Sequence, residues 1–128
     1  MNADPRFEGE GPDEVFASAL AEGRFIIQRC RACSQTRHPP ALACSSCGSP
    51  DITWIAASGA GEVYSTTTVR ERERSYNVAI VELVEGARLM SRVEGIAPEG
   101  VRIGLKVTAR IAPEPEPHVV FEPAGDAP

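Results

Sequence analysis

The residues best suited to chemistry are four cysteines. They stand as two Cys-x-x-Cys pairs, Cys30/Cys33 and Cys44/Cys47, with ten residues between the pairs. A Cys-x-x-Cys turn aims two sulfurs at one ion, and two such turns supply the four thiolates that tetrahedral zinc prefers, at about 2.3 Å. A filled shell keeps no position open for substrate, so the expected Zn2+, one per chain, is structural rather than catalytic. The interval is shorter than the longer zinc-site spacings, yet long enough for a hairpin return. Arg29, Arg31 and Arg37 lie close enough in sequence to offset the negative charge of the thiolates. Two other readings compete: a reduced thiol cluster without metal, and a redox Cys-x-x-Cys. The redox motif ordinarily occurs once, at a helix start in a βαβ unit, and the sequence offers neither.

Little else resembles a reaction centre. His38 and His118 each stand without a nucleophile or acid at a telling spacing, which favours loop or solvent-facing roles. Glu82, Glu85 and Glu94 form no evident acid/base pair, and Ser65 through Thr68 read as strand formers. Ser58–Gly61, SGAG, has no helix behind it to make a phosphate cradle, so a turn between strands is the plainer account. A row of cations, Arg102, Lys106 and Arg110 with Arg88 and Arg92 beside it, could contact a phosphate. The plainer reading of that row is a solvated sheet face. No catalytic residue is assigned.

These groups must be positioned by a small scaffold. The chain has 128 residues, a length that suits one compact domain or a domain with an appendage. Its formal charge of -5 argues against a protein built mainly to bind nucleic acid. The N-terminus lacks the basic and apolar regions of a signal peptide, and no apolar run reaches the roughly 20 residues of a membrane span. The expected location is therefore cytoplasmic, where thiols stay reduced.

Residues 1–11 are expected to form a loose tail, as are residues 124–128. Asp13–Glu22 is expected as a short amphipathic helix, with Val15, Phe16, Ala19 and Leu20 on one face and Gly23 at the exit. A strand, Arg24–Cys30, leads into the first cysteine pair, and Pro39 and Pro40 keep the interval extended. A strand is expected at Ile52–Ala57, and the chain then reads as all-β. Strands are expected at Glu62–Val69 and, after a charged Arg70–Ser75 loop, at Asn77–Val84. Asn77–Val84 is apolar on both alternating faces, so cover on both sides is expected. Gly86 makes a turn, and Ala87–Val93 alternates. So does Val101–Ile111, with Val101, Ile103, Leu105, Val107, Ala109 and Ile111 inward and Gly104 as a bend or bulge. A stiff Pro113–Pro117 run precedes a last strand, His118–Pro123. About five strands with glycines at the bends suggest a small barrel, with the OB-fold as leading candidate.

The succession QRCRAC, CSSCGS, SGAGEVYS, VAIVEL-x-EGARL and IGLKV resembles the zinc-ribbon/OB-fold proteins associated with acyl-CoA enzymes, long filed as a domain of unknown function. The likeness runs from about Phe16 to Pro123. It implies a mostly β chain: an N-terminal helix plus rubredoxin-like zinc ribbon over 12–51, then a C-terminal OB-fold barrel over 52–123. It implies a non-catalytic accessory subunit that docks on a thiolase-like or lipid-transfer-type enzyme and helps bind or channel acyl-CoA. Self-association of the isolated chain is compatible with this reading, and a membrane role is not expected. Two departures stand out. Ser34 replaces the glycine common after the first pair, and RERERSYN replaces a Pro-Tyr turn. The rival readings are an OB-fold binder of single-stranded nucleic acid, for which Tyr64 and Tyr76 are meagre stacking surfaces, and an independent thioesterase or hydratase.

Overall fold

The computed structural model describes residues 11–38 and 40–124. Most of the two expected tails, and Pro39 of the proline pair, lie outside them. Helix α1 spans Pro12–Ala21. Proline sits at its first turn, and the Gly11 N–H donates to Glu14 Oε1. At its exit the Gly23 N–H bonds the Leu20 carbonyl and the Arg24 N–H bonds that of Ala19, with Gly23 at φ +84°. This is the pattern by which a left-handed glycine satisfies the last carbonyls of a helix. Ala19 and Leu20 are buried, and Phe16 meets Phe25 edge-on at 6.4 Å, fastening the helix to the strand that follows.

That strand, β1 (Ile26–Cys30), is the centre of a three-stranded antiparallel sheet, flanked by β2 (Thr36–Arg37) and β3 (Ile52–Ala56). The barrel follows, with β4 (Ala60–Arg70), β5 (Ser75–Leu83), β6 (Arg88–Ser91), β7 (Lys106–Ala112) and β8 (His118–Pro123). Its order is β6-β5-β4-β7-β8. A parallel bridge from Val93 to Phe121 closes the ring, supported by Glu94 N–H to Phe121 O (2.7 Å) and Phe121 N–H to Arg92 O (3.0 Å). Closure removes the sheet edge between β6 and β8, the barrel solution to edge exposure.

The inward residues make one cluster, including Val63, Val81, Leu83, Leu89, Val107 and Phe121. Ile27 belongs to the same cluster and is fully shielded from solvent. Burying an aliphatic side chain of this size contributes about 1.5–3 kcal/mol, so β1 of the ribbon helps to stabilise the barrel. At Gly61, β4 lies close against β5. A Cβ there would lie 2.8 Å from Val81 Cγ1 and 2.9 Å from the Glu82 carbonyl. A register shift between Val63 and Ser65 leaves Tyr64 as a bulge on the outer face.

Two expectations change. Val101–Ile111 is not one strand: β7 begins at Lys106, and residues 98–105 hold a 3-10 turn and a second turn. Ile103 is 71% exposed, and Gly104 (φ +92°) belongs to that second turn rather than to a bend within a strand. Strand β5 is fully covered on one face and half-covered on the other. Asn77, Ala79, Val81 and Leu83 are buried, Val78 and Ile80 are half-buried, and Val84 is exposed.

Candidate functional site

The two cysteine turns have matching geometry. In the first, Ser34 N–H bonds Cys30 O (2.8 Å) and Cys30 N–H bonds Gln35 O (2.8 Å). In the second, Gly48 N–H bonds Cys44 O (2.8 Å) and Cys44 N–H bonds Ser49 O (2.9 Å). Each turn needs a left-handed residue after its second cysteine: Gly48 has φ +78°, and Ser34 takes φ +67° without being glycine. The substitution noted in the sequence therefore keeps the knuckle geometry.

The four sulfurs lie within 4.8 Å of one another. Cys30 Sγ and Cys47 Sγ are 3.6 Å apart, and Cys33 Sγ and Cys44 Sγ 3.7 Å. Sulfurs about 2.3 Å from a tetrahedral zinc are separated by about 3.8 Å, so the expected ligands form a shell of the right size. Backbone N–H groups of Cys47 and Ser46 bring the Cys44 thiol down to about 6. At Cys33 the Gln35 N–H also favours the thiolate, but desolvation and the other sulfurs outweigh it and push the thiol up to about 12. A divalent ion entering the shell displaces protons, so its affinity rises with pH.

Gln28, a residue the sequence reading passed over, holds the interval between the turns. It is buried, its Nε2 donates to Ala41 O (2.9 Å), and its Oε1 accepts from Ala41 N–H (2.8 Å). The ribbon is tied to the barrel at Glu85, whose carbonyl accepts from Thr36 Oγ1 (2.9 Å) and whose carboxylate accepts from Ser58 N–H (2.7 Å). Of the three arginines near the cysteines, Arg31 faces Asp51 at 3.6 Å.

The five cations singled out in the sequence are divided into three places. Arg88, Glu82, Glu62 and Lys106 are successive cross-strand partners over β6, β5, β4 and β7. Arg88 bonds Glu82 (3.0 Å) and Lys106 bonds Glu62 (2.5 Å), so this rung carries no net charge. Arg92 and Arg110 both grip Glu94, the former at 2.6 Å. The Arg92 hydrogen bond, and then the charges of both arginines, hold the Glu94 carboxyl below the usual range. Arg102 lies on the turn before β7 and makes no ion pair among the described residues. The tyrosines that could stack on bases are engaged as well: Arg88 lies 3.9 Å over Tyr64, and Arg74 lies 5.1 Å over Tyr76.

His38 lies in the bend that follows β2, as a loop role would have it, but it is half-buried rather than facing solvent. Its ring packs 5.0 Å from Phe16, and burial followed by the nearby Arg37 charge lowers its pKa. His118 opens β8, bonded to Glu116 O (2.8 Å) and near Arg92 (3.4 Å). A second polar residue missed in the sequence, Asn77, is 3% exposed. It donates to Thr66 Oγ1 (2.8 Å) and Thr67 O (3.1 Å) and accepts from Val93 N–H (2.9 Å), locking the β4–β5 hairpin to the point of barrel closure.

The fold and the thiol shell together define a two-lobed zinc-ribbon/OB-fold protein. Residues 17–53 match the model of the ChsH2 rubredoxin-like zinc ribbon domain, and residues 54–112 that of the ChsH2 C-terminal OB-fold domain. The chain is 37% identical to a chain of the solved "Ltp2-ChsH2(DUF35) aldolase", with a TM-score of 0.79 over 93% of this chain and 99% of that one. It belongs to this ChsH2/DUF35 family. It is also 42% identical over 113 residues to a probable enoyl-CoA hydratase alpha subunit of Thermomonospora curvata, covering 83% of this chain and 35% of that protein. A DUF35 domain-containing scaffold protein of Methanocaldococcus jannaschii is 34% identical over 92 residues, covering 66% of this chain and 65% of that one. The chain thus spans between about a third and two thirds of these two curated relatives. No helix among the described residues is long and apolar enough to cross a membrane.

Proposed function

We propose that this chain is a non-catalytic accessory subunit that docks on a thiolase-like or lipid-transfer-type acyl-CoA enzyme and helps to bind its acyl-CoA. The observation that carries this reading is the likeness, over nearly the full length of both chains, to a chain of an aldolase whose name joins Ltp2 to ChsH2, together with the match to both ChsH2 domain models. The name of the Thermomonospora relative, a hydratase alpha subunit, and that of the archaeal scaffold protein support it. So does the chemistry of the described residues: the thiols form a closed shell, and Glu82 and Glu94 are held by arginines. One structural Zn2+ held by Cys30, Cys33, Cys44 and Cys47 rigidifies the ribbon, giving the partner a preorganised surface. Arg102 is the first candidate for a CoA phosphate. Arg88, Arg92, Lys106 and Arg110 join it only where a ligand or partner displaces their carboxylates.

The test is affinity capture from extract of the source cell at low and moderate salt, with retained proteins identified by mass spectrometry. Stoichiometric retention of a thiolase-fold enzyme is expected. Salt-sensitive retention of nucleic acid, with no enzyme, would overturn the reading in favour of an OB-fold nucleic-acid binder. In the captured complex, replacing Arg102 and Lys106 together should weaken CoA binding, and unchanged binding would return them to the solvated surface.

A further inference from the structure

The outer face of β5, where Val78 and Ile80 are half-buried, floors a groove. One part, about 490 Å³, runs between α1 and the barrel, with Phe16 and Leu20 on one wall and Val78, Met90 and Val119 opposite. A second part, about 400 Å³, continues over Ile80 toward Tyr64 and Arg88. The two share His38, Leu89 and Met90. Ile80 and Met90 are cross-strand partners, and Met90 is 72% exposed. Each part is large enough for a small organic ligand, and together they form an elongated apolar channel.

Polar chemistry in the groove is sparse and specific. Arg88 at one end is bonded to Glu82 (3.0 Å), and Arg92 at the other to Glu94 (2.6 Å). A carboxylate would therefore find no unpaired arginine there. His38, in the middle, has a different character. Its Nδ1 is sealed from solvent and has no hydrogen-bond partner among the described residues. A proton on Nδ1 would be a buried N–H with no acceptor, so we assign the ring proton to Nε2, which takes the donor's part. The other uncharged polar side chains lining it are Asn77, Ser91 and His118, which are bonded within the barrel, and Tyr64 and Tyr76, so the groove offers an apolar floor, neutral donors and no free charge.

The geometry points to this groove as the seat of the acyl portion of a thioester, with His38 Nε2–H donating to its neutral carbonyl oxygen. The identity of the ligand rests on the acyl-CoA reading above, whereas the site rests on the groove itself. A probe without the CoA nucleotide, used on the isolated full chain, separates the two. If capture of a partner fails and the probe binds, the groove stands alone. If capture succeeds and the probe does not bind, the docking reading survives and the groove assignment falls.

The probe is octanoyl-N-acetylcysteamine, compared with its octyl thioether, which lacks the acyl carbonyl, and with octanoate. Binding is read by NMR shifts and titration of the zinc-loaded chain. The thioester is expected to perturb the His38 ring and the Met90 methyl. It should bind about two- to tenfold more tightly than the thioether, and at least about tenfold more tightly than octanoate. Met90→Glu, at an exposed position, should weaken thioester binding at least about tenfold while leaving the fold intact. His38→Phe should abolish the preference of thioester over thioether while leaving thioether affinity unchanged. Absence of binding, or binding indifferent to Met90→Glu, would overturn the site. Octanoate binding as tightly as the thioester, or a preference that survives His38→Phe, would overturn the carbonyl contact.

Discussion

The paired cysteine turns allow a quantitative exchange. Ser34 and Gly48 occupy equivalent places, with φ +67° and +78° and the same hydrogen bonds. A left-handed conformation costs a residue with a Cβ about 1–2 kcal/mol. Glycine escapes that cost but loses about 0.5–1 kcal/mol more backbone entropy on folding. Ser34→Gly should therefore stabilise the ribbon by about 0.5–1 kcal/mol. Gly48→Ser should destabilise it by the same amount, because a Cβ at Gly48 meets nothing within 4 Å and only the backbone conformation is at issue. The double exchange should be close to neutral. For a chain of this length the single changes correspond to about 2–4 °C in Tm, upward for Ser34→Gly and downward for Gly48→Ser. Where metal binding and ribbon folding are coupled, they also correspond to about two- to fivefold in zinc affinity. Calorimetry in buffered zinc reads the first and competition with a chromophoric chelator the second. A neutral or destabilising Ser34→Gly, or a Gly48→Ser without cost, would refute the equivalence of the two turns.

Asn77→Ala removes three hydrogen bonds and leaves the Val93 N–H unpaired, so a loss of about 3 kcal/mol is expected in urea unfolding. A loss below about 1 kcal/mol would mean that water replaces the amide. Gly61→Ala pushes a methyl into Val81 and the Glu82 carbonyl, and should cost about 1–3 kcal/mol in the same assay. His38 has a lowered pKa when folded, so the unfolded chain binds more protons. Its contribution to stability is full above about pH 6.5 and is lost as pH falls through the folded pKa. His38→Gln should flatten the decline of stability between about pH 7 and 5, measured at fixed zinc occupancy. An unchanged slope would show that the ring is not desolvated.

The cysteine shell was legible because ligand type and spacing depend on local chain geometry alone. The barrel was legible from alternation in β4, β5 and β6, where Val63, Val81 and Leu89 fall in the buried row. Alternation misled at Val101–Leu105, where the same period continues through a turn and Ile103 points outward. On β5 it also misled, because a second apolar row can floor a groove instead of meeting a second core. Gln28 and Asn77 carried a signal that went unread. Gln28 is in phase with buried Ile26 and Cys30, and Asn77 with Ala79 and Val81, so each polar side chain had to find partners inside. The pairing of Arg88 and Lys106 with Glu82 and Glu62 was not legible, since it depends on the register of four strands.

The burial of Ile27 among barrel residues bears on how this architecture can be cut and joined. The boundary between the two family models, 53/54, falls inside β3, while β1, its partner, sends Ile27 into the barrel. The lobes are therefore not interchangeable cassettes. A barrel expressed from residue 54 onward would open onto a missing wall, and a ribbon ending at residue 53 would carry a greasy strand with nowhere to lie. Fusion to longer polypeptides is mechanically sound only when the splice lies outside the unit that begins at α1 and ends after β8. Grafting a foreign ribbon onto this barrel would demand an aliphatic plug at the position of Ile27.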